Sequence, residues 1–220
     1  MVAGRCRSQN PDAKGEDLLG CELDENHYGV HMVFQESGDA LMWYRNWIDP
    51  NMDLHWHHER AIPQLAEWSE FGITHIIDCR GEHSDKEFVA THAPHIVYHD
   101  HGTHDAGGHQ DAEWYEQGWF LFIQAVLENP EAKVLVHCHM GVNRAPSLGF
   151  FLLLRMGHSP WNALTMIREA RPIAACYYAE SAWQTFCVHS NDHDAGEGRL
   201  QIGTFFVEHV IHQIREVEHA

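Results

Sequence analysis

The stretch that most constrains this chain is Val134-Leu135-Val136-His137-Cys138-His139-Met140-Gly141-Val142-Asn143-Arg144. An apolar run of strand-forming residues ends in His137-Cys138, and five residues including a glycine lead to Arg144. A nearly unbroken apolar run, Ser147–Met156, follows at once. Strand, short loop and buried helix in that order leave few architectures open. The strand belongs inside a sheet, and the helix N-terminus faces the loop. Backbone N–H groups of such a loop form a nest for an anion, and the helix N-terminus adds positive potential. The same field favours a thiolate at Cys138. Arg144 offers a planar fork of donors matched to two phosphate oxygens. A cysteine at a strand end is most often a small buried apolar residue. Here the setting argues for more: Val-Leu-Val-His-Cys, glycine at the third loop position, then arginine, Pro146 and an apolar helix.

Around that stretch the pattern alternates between helix and strand. Val30–Phe34 and Leu41–Trp47, separated by Glu-Ser-Gly-Asp, predict a hairpin. Ile62, Leu65, Trp68 and Phe71 at i, i+3 spacing predict a helix over Glu59–Phe71, closed by Gly72. Strands are expected at Ile73–Asp78 and His95–His99, and an apolar helix at Glu113–Leu127, ended by Asn129-Pro130. Ser159-Pro160 is an N-cap with proline at the first helical position, opening a helix to Arg171. Tyr177–Val188 continues as helix, residues 191–199 read as a polar linker, and 204–217 as a final amphipathic helix. Residues 1–26 are polar with scattered Gly and Pro, the composition of a disordered lead-in. The whole is an α/β pattern.

Composition narrows the function. A chain of 220 residues suits one domain with short extensions. No apolar run reaches 18 residues and the first twenty lack a signal peptide's apolar core, so neither a membrane span nor export is expected. Six cysteines at irregular positions do not read as a disulfide framework, which fits a reducing cytoplasm. A net charge of −18 argues against a nucleic-acid partner. Protonating all 21 histidines would carry that sum from −18 to +3, so the field changes steeply from neutral pH to about pH 5. The clusters His55-Trp56-His57-His58 and His99, His101, His104, His109 match no zinc spacing, and no metal is expected.

At the Cys138–Arg144 loop the chain resembles the dual-specificity phosphatase branch of the cysteine-dependent protein tyrosine phosphatase superfamily. The resemblance runs over most of residues 27–190, from Leu41-Met-Trp-Tyr through Gly72-Ile-Thr-His to the loop. It implies a twisted, mostly parallel central sheet flanked by helices, with 27–190 as the catalytic domain and 191–220 as linker and C-terminal helix. No metal or other cofactor is implied. The substrate class is a phosphomonoester: phosphotyrosine first, with phosphoserine and phosphothreonine in proteins as further candidates. Gly141-Val-Asn143-Arg144 also resembles the loop of capping-type RNA phosphatases, which keeps an RNA or nucleotide 5′-phosphatase as an alternative. A phosphate-reading pseudophosphatase is the other.

The constellation permits a two-step displacement through a phosphocysteine on Cys138, with Arg144 and the loop amides of His139, Met140, Gly141, Val142, Asn143 and Arg144 holding the phosphate oxygens. His137 is expected behind the loop, orienting it and lowering the cysteine pKa. A leaving oxygen needs a proton, and Asp100, Asp105 and Asp111 lie in the preceding segment. His95-Ile-Val-Tyr98-His-Asp-His-Gly-Thr-His-Asp105 is similar to the family segment ending in the catalytic aspartate, so the resemblance selects Asp105, with Asp100 in reserve. Gly102, Gly107 and Gly108 are expected to let this loop open and close. Ala145 stands where family members carry a Ser or Thr that donates to the sulfur, so slow phosphoenzyme breakdown is expected. Cys79 occupies a point at which phosphoinositide-phosphatase relatives carry a redox partner of the nucleophile.

Overall fold

In the computed structural model, which describes residues 30–34, 40–44, 65–66, 68–105, 107–190 and 195–211, five strands form one sheet. They are β1 (Val30–Phe34), β2 (Ala40–Tyr44), β3 (His75–Arg80), β4 (Val97–Thr103) and β5 (Val134–His137), in the order β2-β1-β5-β3-β4. All four residues of β5 are buried, as its apolar sequence requires. Its parallel neighbour β3 sets Ile76 beside Leu135 and Ile77 beside Val136. On its other edge β1 pairs antiparallel and forms the expected hairpin with β2. Cys138 therefore begins where the central strand ends.

Period-2 alternation splits the core into two layers. Ile77, Cys79, Val134 and Val136 face one cluster, whereas Ile76 and Leu135 join Leu65, Trp68, Val89, Ile96 and Tyr98 on the other. Helices cover both layers: α1 (Lys86–His92), α2 (Ala112–Glu128), α3 (Arg144–Arg155), α4 (Pro160–Ala170), α5 (Ala179–Ser190) and α6 (Ala195–Phe205), the last continued by a π-helical turn Phe206–Ile211. This is the α/β class expected. Every residue of α3 from Arg144 to Leu154 is buried. Leu148, Leu152, Leu153 and Leu154 alone are each worth roughly 1.5–3 kcal/mol of burial, so the N-terminus of α3 is a fixed wall.

Several boundaries differ from the expected ones. β3 starts at His75, not Ile73, because Ile73 N–H bonds the Trp68 carbonyl and Thr74 N–H the Lys133 carbonyl before the ladder begins. β4 runs on to Thr103 through polar residues because it is a sheet edge, where burial is only intermittent. Helix α1 gave no periodic signal, since Val89 is its one buried residue. The segment read as a linker over 191–199 is helical from Ala195, and Ile202, Phe205 and Val210 pack into the core. Gly198, within the segment expected to be a polar linker, is a close-packing residue: a Cβ there would overlap the Trp183 ring. The lead-in over 1–26, the start of the first helix over 59–64, the histidine cluster over 55–58 and residues 212–217 lie outside the described residues.

Near the site β3 and β4 converge on glycines. A Cβ at Gly102 would overlap the Arg80 carbonyl, and one at Gly81 would come within 2.9 Å of the Thr103 backbone. The β3–β4 register shifts between Asp78 and Arg80, which brings the residues after both strands to one side. Gly102 is thus a packing glycine inside β4 and not the hinge expected, whereas Gly107 and Gly108 sit at φ +72 and +81 with open space around them. Replacing Gly102 by Ala is expected to cost about 1–3 kcal/mol by overpacking. A urea denaturation midpoint equal to that of wild type would contradict this.

Candidate active site

The loop after β5 turns at Gly141, whose φ of +60 suits glycine. Three consecutive carbonyls are tied away from the loop's interior. Arg171 donates from Nη2 to Met140 O at 2.5 Å and from Nε to Gly141 O at 2.8 Å. Val142 O accepts from the N–H groups of Ala175 at 2.7 Å and Cys176 at 3.2 Å. In a trans peptide the N–H points opposite to the C=O. The N–H groups of Gly141, Val142 and Asn143 are therefore turned inward, toward the side on which Cys138 lies. His139 and Met140 form the exposed rim, and Asn143 is buried. Arg171 carries no sequence signal beyond ending a helix, and this role was not legible in it.

Cys138 is buried, with the N–H groups of Ala145 and Gly141 donating to its sulfur. Burial pushes its thiol up; the Ala145 N–H, Arg144 and the Gly141 N–H pull it down, and Asp105 pushes it up again, leaving it raised. Burial is the largest cause, and Arg144, the cation that opposes it, is itself paired. Its Nη1 and Nη2 meet Glu82 Oε2 at 2.5 Å and Oε1 at 2.8 Å, and Nη1 also donates to Thr103 O at 3.2 Å. The Arg144 guanidinium in turn holds the Glu82 carboxyl down at about 2. Arg144 thus faces both the sulfur and Glu82, a residue the sequence did not single out. Arg144 Nε lies 3.4 Å from Asp105 Oδ2 without hydrogen-bond geometry, so this buried N–H has no hydrogen-bond partner among the described residues.

Asp105 comes to the loop and Asp100 does not. Asp105 Oδ1 accepts from Asn143 Nδ2 at 2.7 Å and from the Tyr178 hydroxyl at 3.1 Å. Asp100 sits within β4, bonded to Ser84 Oγ and 3.5 Å from Lys86 Nζ. Asp111 stands at the start of α2. The hydroxyl of Ser147 donates to Asn143 Oδ1 at 3.2 Å, so it is engaged away from the sulfur, and Ala145 brings only its backbone N–H.

Behind the loop, His137 Nε2 is 3.6 Å from Asp78 Oδ1 and its ring packs on Trp68 at 5.9 Å. Burial lowers the His137 pKa, opposed by Asp78. Cys79 is fully buried, its thiol pushed well up by burial and by Cys138 nearby. A second thiol, Cys176, feels Cys138 as well, and burial pushes it to about 12. Among the described residues no group of three His, Cys, Asp or Glu side chains is disposed to hold a metal ion, and no helix is long and apolar enough to cross a membrane.

No family model matches the chain. Its fold is shared with solved structures at low identity. A point variant of human DUSP28 is 19% identical, covering 60% of this chain and 90% of that one, with a TM-score of 0.50. Kinase associated phosphatase (KAP), with serine in place of its catalytic-site cysteine, is 15% identical over 76% and 97%, with a TM-score of 0.52. PTPMT1 in complex with PI(5)P is 14% identical over 73% and 97%, with a TM-score of 0.51. The chain shares the fold of these phosphatases, as the resemblance implied.

The charge balance at Arg144 has a measurable consequence. Removing the Glu82 charge leaves the guanidinium less compensated, which favours the thiolate. In Glu82→Gln the pH midpoint for iodoacetamide alkylation of Cys138, followed by mass spectrometry at that residue, is expected to fall by about one unit. An unchanged or higher midpoint would contradict that reading.

Proposed function

We propose that this protein is a cysteine-dependent phosphomonoesterase acting through a phosphocysteine, with phosphotyrosine as the first substrate class and phosphoserine and phosphothreonine in proteins as further ones. The observation that carries the proposal is the loop after β5. Its carbonyls are bonded outward, its amides face Cys138, and the buried Arg144 Nε–H makes no hydrogen bond beside them. That arrangement suits a tetrahedral oxyanion.

In the first step Cys138, its proton already released to solvent, reacts as the thiolate: its sulfur forms a bond to phosphorus as the bond to the leaving oxygen breaks. Asp105 passes its proton to that oxygen from its Oδ2, the oxygen nearer Arg144. In the second step the Asp105 carboxylate takes a proton from a water that attacks phosphorus. The sulfur–phosphorus bond breaks, and inorganic phosphate and the Cys138 thiolate remain. Arg144 and the loop amides hold the non-bridging oxygens in both steps. Nothing in this sequence of events requires a metal. The net charge of −18 supports a protein or small phosphomonoester over an RNA 5′ end.

Because the Ser147 hydroxyl is bonded to Asn143, the departing sulfur in the second step has backbone donors, Ala145 and Gly141, and no hydroxyl donor among the described residues. A lost hydrogen bond to a charged group is worth about 1.5–3 kcal/mol, or roughly ten- to a hundredfold in rate. Wild type is therefore expected to release para-nitrophenol from its phosphate ester in an initial burst followed by slow turnover, and Ala145→Ser to speed the slow phase by about tenfold or more. Cys138→Ser is expected to show neither phase. Turnover retained in Cys138→Ser would overturn the proposal, and a linear time course in wild type would overturn the slow second step.

A further inference from the structure

The groups around Asp105 form a closed ring of hydrogen bonds that joins three parts of the chain. Asn143, the residue before Arg144, donates from Nδ2 to Asp105 Oδ1 at 2.7 Å. Tyr178, just before α5, donates its hydroxyl to the same oxygen at 3.1 Å. The ring closes through Ser147 of α3. Its hydroxyl donates to Asn143 Oδ1 at 3.2 Å and accepts the Tyr178 backbone N–H at 3.4 Å. The Tyr178 hydroxyl also accepts the Gly107 N–H at 3.2 Å, so one phenol grips the Asp105 loop at two points. Its one other acceptor, His104 O, is farther, at 3.5 Å.

Tyr178 can serve as an anchor because it is itself immobile. Its side chain is fully buried, and its carbonyl accepts from the hydroxyls of Tyr115 and Ser181, both at 2.9 Å. Ser181 Oγ adds a third tie to the loop, accepting the Gln110 N–H at 3.2 Å. The two carboxylate oxygens of Asp105 are consequently unlike. Oδ1 holds both side-chain donors, while Oδ2 points to Arg144 Nε, 3.4 Å away.

We propose that Asn143 and Tyr178 are positioning residues that fix Oδ1 of Asp105 and leave Oδ2 as the oxygen that delivers the proton to the leaving group. This rests on the phosphatase reading above. A carboxyl group free to rotate presents either oxygen; one with Oδ1 doubly bonded to the loop and to a buried tyrosine presents Oδ2 alone. The ring also ties the Asp105 loop to the nucleophile loop itself, so the proton donor and the phosphate cradle are set by one network. A donor to a carboxylate stabilises its charged form, so removing one makes protonation easier.

The test compares kcat/KM, which covers the steps through formation of the phosphocysteine, for phenyl phosphate and para-nitrophenyl phosphate. Proton donation matters for the poor leaving group and little for the good one. In Tyr178→Phe, kcat/KM for phenyl phosphate is expected to fall about tenfold and that for the nitrophenyl ester by less than about threefold. Asn143→Ser, a second variant that keeps the buried phenol in place, is expected to show the same selectivity. In an Asp105→Asn background, Tyr178→Phe is expected to add nothing. Equal losses on both esters, or a loss that adds fully to Asp105→Asn, would overturn the positioning roles while leaving the phosphatase reading intact. A wild-type protein that turns over neither ester, or a Cys138→Ser variant that turns over both, would sink the two together.

Discussion

The direction of three peptide units, those following residues 140, 141 and 142, decides what this site can be. A loop at the end of a buried strand has its donors and acceptors in competition for the same small space. Arg171 and the backbone at Ala175 and Cys176 take the carbonyls, and only then are the amides left to face Cys138. The rest of the fold serves that arrangement. β5 is paired on both edges, so the loop starts from a fixed point. Helix α3 is buried from Arg144 to Leu154, so the loop ends at one. Fixed ends let a short loop hold an orientation that would otherwise be lost to conformational entropy.

Charge at the site is arranged in opposition. Arg144 is the one cation among the groups that set the Cys138 thiol, and it faces Glu82, Asp105 and the sulfur. Glu82 takes the end of the guanidinium and Asp105 faces Nε, so the arginine's orientation is fixed while part of its field is cancelled. A dianionic substrate meeting Nε and the loop amides would compete with the Asp105 carboxylate for the same N–H.

What could be read in the chain beforehand was local. Cys138, Arg144, the glycine turn and the apolar helix lie within one stretch, and each carries its own pattern, so the loop and its strand were legible. Asp105 was reachable through resemblance, and the structure separates it from Asp100 by what each touches. Glu82 lies 62 residues from Arg144, Arg171 lies 30 from Gly141, and Tyr178 lies 73 from Asp105. Such contacts are set by sheet register and helix packing and leave no mark on their neighbours in sequence. The misread glycines have a physical cause as well. Gly102 and Gly198 allow close approach to the Arg80 backbone and the Trp183 ring, and a sequence does not distinguish that use from flexibility.

The central claim, an oxyanion cradle built on Cys138 and Arg144, is tested most directly by a crystal structure of the protein soaked in tungstate. The expected result is the anion seated over the Cys138 sulfur, accepting from the amides of Gly141, Val142 and Asn143 and from Arg144 Nε, with Asp105 Oδ2 on its outer side. Tungstate bound elsewhere, with the carbonyls of Met140 to Val142 turned toward the sulfur, would contradict it.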